Sequence, residues 1–207
     1  MHKRTSREVG EAHMARRLAL ALTLVLCAFG GLVGDSRGQW SGPYAECVAA
    51  MDALHSAAWM DHHPRFEGTP LTVEMWVRLR SSTAYNILIA HEVKSSNAHW
   101  EIFTLPESGR LTAYLPGCTP DHVGSSYALT DGVWHYVCMV SEANSVALFV
   151  DGAEVARETV TRVVEPYIEP GPLFIGSLVA REFSCDGEIA EVRISAAARD
   201  VSAVPVG

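Results

Sequence analysis

The sequence has little basic charge once its first residues are set aside. Residues 1–38 hold six Lys/Arg and three Asp/Glu, which leaves 10 basic against 21 acidic residues in the rest of the 207-residue chain. A chain of that balance lacks the basic stripe that displaces counterions from phosphates, so nucleic acid is excluded as a partner. No C-x-x-C pair occurs, which argues against a zinc ribbon or a thioredoxin-like site. No G-x-S-x-G elbow occurs either. Heptads, internal repeats and low-complexity linkers are absent, and helical patterning is scarce. The longest apolar run, Leu18–Phe29, is shorter than the ~20 residues a membrane span needs.

That run has a different reading. Lys3, Arg4, Arg7, Arg16 and Arg17 precede it, and Gly30, Gly31 and Gly34 follow it. Basic, apolar and then small residues form the pattern of a secretory signal peptide. Residues 1–38 are therefore expected to be a signal peptide, with Met14 as an alternative start and a mature N-terminus between Asp35 and Trp40. A lipoprotein anchor at Cys27 is disfavoured by the bulky Leu26 before it. The expected location is secreted, periplasmic or cell-surface, with no membrane span after cleavage. An oxidising compartment favours disulfides among the remaining Cys47, Cys118, Cys138 and Cys185, and four cysteines allow three pairings.

The body reads as short strands. Leu71–Leu79 alternates, with Val73, Met75, Val77 and Leu79 on one face and Thr72, Glu74, Trp76 and Arg78 on the other. Tyr85–Ala90, Trp100–Leu105, Leu111–Leu115, Trp134–Val140, Leu173–Gly176 and Glu188–Ser195 read likewise. Ser145–Val150 and Ala153–Arg157 flank Asp151-Gly152, a two-residue hairpin turn. Ala45–Ala58 has some helical composition, and Ala196–Val201 suggests a final turn. Turn residues every 8–12 positions indicate a β-sandwich. In Trp134–Val140, the Trp134, Tyr136, Cys138 and Val140 face is expected to point into the core.

Five segments in order resemble the laminin-G-like or pentraxin-like branch of the concanavalin A-like lectin/glucanase superfamily. They are Leu71-Thr-Val-Glu-Met-Trp-Val, Gly132-Val-Trp-His-Tyr-Val, Ala147-Leu-Phe-Val-Asp-Gly-Ala-Glu-Val, Phe174-Ile-Gly-Ser and Asp186-Gly-Glu-Ile-Ala-Glu-Val-Arg-Ile-Ser. The resemblance implies an all-β jelly-roll sandwich of two antiparallel sheets over residues 59–199. Residues 39–58 would be a partly helical or irregular lead-in, and 200–207 a tail. The family's Phe-Asp-Gly opening is missing, and Ala190 stands where its closing strand usually has Asp.

The fold's glucan-cleaving relatives place paired carboxylates on one strand face. Here Glu182 and Asp186 are four apart across a turn, and Glu188 and Glu191 fall on opposite faces. Cys138 and His135 also alternate away from each other. These readings leave no catalytic constellation, and no cofactor is required. Relatives often bind calcium through loop carboxylates, which makes Asp121, Asp131 and Asp186 the candidate calcium ligands. Disulfide candidates narrow to Cys118, Cys138 and Cys185, because Cys47 precedes the matched region. Trp76 and Trp134 are expected in the core, whereas Trp59 and Trp100 lie near strand ends, where an exposed ring can stack on a sugar. With His62, His91, Asp121 and His122 they form the candidate ligand surface. The expected function is a non-catalytic binding module for extracellular carbohydrate or protein. The alternatives are a glycan-active enzyme of hydrolase or lyase type, and a structural or assembly module.

Overall fold

The computed structural model describes residues 44–47, 58–163, 171–179 and 183–202. All belong to the unit Pro43–Gly207; the other unit, Met1–Gly42, lies outside the described residues. The expected signal peptide, and the lead-in apart from residues 44–47 and 58, therefore lie outside the described residues.

The chain runs through β1 (Tyr44–Cys47), β2 (Ala58–Met60), a 3-10 turn at Pro64–Phe66, β3 (Leu71–Leu79), β4 (Asn86–His91), β5 (Trp100–Thr104) and β6 (Arg110–Tyr114). It continues through β7 (Cys118–Thr119), β8 (His122–Ala128), β9 (His135–Ser141), β10 (Ser145–Val150) and β11 (Ala153–Thr159). The last strands are β12 (Thr161–Arg162), β13 (Leu173–Ile175) and β14 (Gly187–Ser195). Two antiparallel six-stranded sheets result, ordered β1-β14-β3-β9-β10-β11 and β2-β13-β4-β5-β6-β8, with β7 and β12 as a small pair. This is the all-β jelly-roll sandwich the sequence implied. Residues 44–47 form a strand beside β14 rather than part of a helix.

The core follows from period-two alternation. Val73, Met75, Val77 and Leu79 of β3 are fully buried, and Met139 and Leu148 sit in register beside them on β9 and β10. On β9 the inward face is thus Val137 and Met139. The opposite face, with Tyr136, Cys138 and Val140, forms a separate outer cluster with Trp76, Phe149 and Val201. The expected facing of β9 is corrected accordingly. Both faces of this strand are apolar, so its pattern cannot tell inside from outside.

A returning segment explains the second apolar face. Ala197–Val201 crosses the outside of the first sheet in irregular conformation, not as the expected helical turn. Thr72 donates its hydroxyl to Ala197 O (2.7 Å) and accepts from Arg199 N (3.1 Å). Arg199 Nη1 meets Glu74 Oε2 at 2.5 Å, and Tyr136 donates to the other Glu74 oxygen. Glu74, an outward strand residue, is thereby buried with both oxygens satisfied.

The Asp151-Gly152 turn has φ of 51° and 81°, the positive pair a two-residue hairpin of this kind requires. Asp151 also accepts from Tyr136 N (2.8 Å) and faces His135 Nδ1 at 2.7 Å. Trp134 lies outside β9 and is 39% exposed, with Arg78 over its ring at 5.2 Å. It is a surface residue, which corrects its assignment to the core. Its position just before the strand lets the ring turn out toward Arg78.

Cys118, Cys138 and Cys185 are buried free thiols, and no bridge joins any two of them. The expected disulfide among them is corrected. They sit on three separate elements: Cys118 on β7, Cys138 mid-strand in β9, and Cys185 just ahead of β14. Burial raises each thiol, that of Cys185 to about 12.

Candidate functional site

The outward face of the second sheet carries one continuous cross-strand row. Register places Trp59 opposite Phe174, Phe174 opposite Ala90, and Ala90 opposite Glu101. Glu101 in turn stands opposite Tyr114, and Tyr114 opposite His122. The row visits all six strands. At a strand spacing of about 4.8 Å, it spans about 24 Å.

Its two ends are aromatic. Trp59 is 56% exposed and stacks on Phe174, with ring centroids 6.5 Å apart and planes 23° from parallel. At the far end the Tyr114 and His122 rings lie 4.6 Å apart, and Asp121 Oδ1 holds His122 Nδ1 at 2.8 Å. That contact keeps the Asp121 carboxyl below its usual range. The centre is charged. Lys94 Nζ reaches Glu101 Oε1 at 2.9 Å and lies 5.7 Å from the Tyr114 ring centre. Burial acts to raise the Glu101 carboxyl, but His99 and Lys94 beside it outweigh burial and lower it. His99 Nε2 stands 3.6 Å from Glu101 Oε2, too far for a hydrogen bond.

Further along this side of the sheet, exposed Tyr85 and Phe183 meet edge to face at 5.4 Å, beside Phe103. The result is a strip with exposed rings at its ends and, between them, buried Phe174, Ala90 and Glu101, with Lys94 exposed beside Glu101.

The candidate ligand residues divide between the two faces of the sheet. Trp59 and His122 are on the outward row, with Asp121 beside His122. Trp100 and His91 point inward, and each is nearly fully buried. Trp100 donates its indole N–H to Phe66 O (2.7 Å) and stacks on His91 (5.6 Å). Its expected role as an exposed platform is corrected: in β5 the outward residues are Glu101 and Phe103. Alternation in Trp100–Thr104 already contained that signal, and so pointed to Glu101. Lys94 and Tyr114 had no motif to mark them.

His62, Glu67, His91 and Glu92 gather beneath this row. Their ligand-capable atoms lie within 4.8 Å of one another. His62 Nδ1 is 3.4 Å from Glu67 Oε1 without hydrogen-bond alignment. Burial pushes His91 down to about 4, with His62 and His99 adding to the shift and a backbone group of Ala98 opposing it. Neither His91 nitrogen has an aligned hydrogen-bond partner.

The calcium candidates do not converge. Asp131 accepts from Val133 N (3.0 Å) and faces His135 Nε2 (3.2 Å), whereas Asp186 faces Arg80 at 3.9 Å. Asp121 is engaged by His122. Among the described residues, the cluster of His62, Glu67, His91 and Glu92 is the group suited to an ion, and none of the three Asp belongs to it.

A sequence model of the concanavalin A-like lectin/glucanases superfamily matches residues 55–204. The chain belongs to that superfamily. No curated protein sequence matches it significantly. Among solved structures, this superfamily member is similar to the Ruminococcus gnavus IT-sialidase CBM40 bound to alpha2,3 sialyllactose. The TM-score is 0.54 at 10% identity, over 73% of this chain and 93% of that one. It is also similar to the botulinum neurotoxin serotype C1 binding domain, with a TM-score of 0.51 at 12% identity over 77% and 45% of the two chains. The leech intramolecular trans-sialidase gives a TM-score of 0.53 at 11% identity over 77% and 28%. At such identities the likeness is one of fold. Among the described residues, no helix is long and apolar enough to cross a membrane.

Proposed function

We propose that this chain is an exported, non-catalytic module that binds extracellular glycan along the outward row from Trp59 to His122. The observation that carries this reading is the row itself. An exposed indole at one edge and a Tyr–His pair at the other offer apolar ring faces to the C–H faces of sugars. Between them, the exposed Lys94 ammonium, held by buried Glu101, supplies a donor to hydroxyl groups. Phe174, Ala90 and Glu101 in the middle of the row are buried, so the groups open to a sugar are the rings at its two ends and Lys94. The solved structure with sialyllactose supports the reading as an example of a similar fold holding a glycan. The signal-peptide pattern supports export.

Catalysis is disfavoured by the same geometry. Glycoside hydrolysis needs two carboxylates about 5–10 Å apart across the scissile bond, and the row contains one, Glu101, covered by Lys94. The test is a glycan array with the exported protein, Trp59→Ala and Tyr114→Ala. Binding by the wild type, and its loss in both variants at unchanged melting temperature, is expected. Binding that survives both substitutions would place the site elsewhere. Sugar release that disappears in Glu101→Gln would make the protein an enzyme.

A further inference from the structure

The four-residue cluster beneath the row is chemically distinct from it. We propose that His62, Glu67, His91 and Glu92 bind a single divalent transition-metal ion of the zinc type, which ties β2 and the 3-10 turn to the end of β4. The proposal stands independently of glycan binding.

The donor set decides the class of ion. Two imidazoles and two carboxylates suit a borderline cation such as Zn²⁺, whereas calcium prefers six to eight oxygens. Two ionised glutamates balance the ion's charge. Ligand atoms in a tetrahedron with bonds of about 2.0 Å lie about 3.3 Å apart. The four atoms here are already within 4.8 Å, so closing on an ion takes small side-chain rotations.

Unmet bonding potential points the same way. His91 is fully buried, yet neither ring nitrogen has an aligned hydrogen-bond partner, the Ala98 backbone group beside it included; His62 Nδ1, 3.4 Å from Glu67 Oε1, likewise lacks an aligned one. An orphaned buried polar atom is costly, and metal coordination would satisfy it. The supporting shell is in place. Trp100 stacks on His91, Phe66 meets it edge-on at 5.7 Å, and Trp100 is itself pinned to Phe66 O. Gly171 N donates to one oxygen of Glu92, which orients that carboxylate. Four protein ligands leave no open position, so the ion would be structural rather than catalytic.

Spacing hid the site from the sequence. The ligands come as His-x4-Glu and an adjacent His-Glu pair some 25 residues on, with neither the helical nor the knuckle spacing of common zinc motifs. Only the pairing of β2 with β13, and of β13 with β4, brings the two pairs together.

The test uses protein purified without a metal-affinity tag, stripped by chelator and titrated separately with Zn²⁺, Co²⁺ and Ca²⁺. Expected are one equivalent of tightly bound Zn²⁺, a higher melting temperature with Zn²⁺ but not Ca²⁺, and the intense visible absorption of tetrahedral Co²⁺. His62→Gln and Glu67→Gln, both at partly exposed positions, should keep the apo melting temperature and bind Zn²⁺ at least tenfold more weakly. His91→Gln should abolish binding. The proposal is overturned if the folded wild type binds no Zn²⁺, if His62→Gln and Glu67→Gln bind it undiminished, or if Ca²⁺ alone stabilises the protein.

Discussion

Trp59 and His122 occupy opposite edges of one six-stranded sheet on a single outward cross-strand row. They are about 24 Å apart by strand spacing, too far to touch one sugar. The two ends should therefore act as separate subsites of an extended ligand. For a glycan long enough to reach both, the affinity losses of Trp59→Ala and Tyr114→Ala should add, as for distant sites. Calorimetric titration of the double variant checks this. A double variant no weaker than either single one would mean that only one end binds.

The two tryptophans at the ends of β5 and β9 should behave oppositely. Trp100 is 4% exposed and bonded through its indole, so Trp100→Ala should cost ~3–5 kcal/mol. Trp134 lies against Arg78 at the surface, so Trp134→Ala should cost less than ~2 kcal/mol, mainly partial burial and a cation–π contact. Urea denaturation of both variants measures the contrast. Equal losses would contradict this placement.

His135 gives a pH dependence of definite sign. Burial lowers its pKa, but contacts with Asp151 and Asp131 outweigh burial and raise it, while Tyr127 packs edge-on without charge at neutral pH. A raised native pKa contributes stability that is fully present below the unfolded value of ~6.5 and is lost as pH rises through the native value. The melting-temperature gap between wild type and His135→Gln should therefore narrow from pH 6 upward. A gap constant over that range would show that the ring is not protonated between the two carboxylates.

Strand alternation made most of this fold legible. Leu71–Leu79 and Ser145–Val150 match the structure residue for residue, because each has a clear inside face or a Gly-containing turn at its end. β8 is not legible in the sequence, since His-Val-Gly-Ser-Ser-Tyr-Ala carries little apolar pattern and is held by its register with β6. The facing of β9 and the burial of Glu74 depend on Ala197–Val201, a segment more than 50 residues beyond that strand. Half of the candidate surface, Trp59 and His122 with Asp121, was readable as residues beside turns. Glu101 was within reach of strand alternation, whereas Lys94 and Tyr114 required the sheet order, and bringing His62 and Glu67 to the adjacent His91-Glu92 pair required three-dimensional pairing.

The buried thiols predict a labelling pattern. Cys118, Cys138 and Cys185 are free, shielded and shifted upward by burial, so little thiolate exists at neutral pH. Brief alkylation of the native protein, followed by peptide mass mapping, should leave all three unmodified. Alkylation after denaturation without reductant should modify all three. Any of them resisting under denaturing conditions until reductant is added would reveal a disulfide.

The contact between Glu74 and Arg199 fastens the returning C-terminal segment to the outside of the first sheet. Glu74 is 2% exposed and accepts from Arg199 and Tyr136, so removal of the guanidinium leaves a buried carboxylate short of its main counter-charge. Breaking a fully buried pair costs ~3–5 kcal/mol. Arg199 keeps some solvent contact, with 27% of its side chain exposed, so Arg199→Met should cost less, about 2 kcal/mol. It should also loosen Ala197–Val201, exposing Val201 and the cluster of Tyr136, Cys138 and Val140 to limited proteolysis and to thiol reagents. Replacing both partners with apolar residues, Glu74→Leu with Arg199→Met, removes the stranded charge and should recover much of the loss. Urea denaturation of the single and double variants, with Cys138 labelling rates, measures both effects. A double variant less stable than Arg199→Met alone would show that the segment is held by something other than this ion pair.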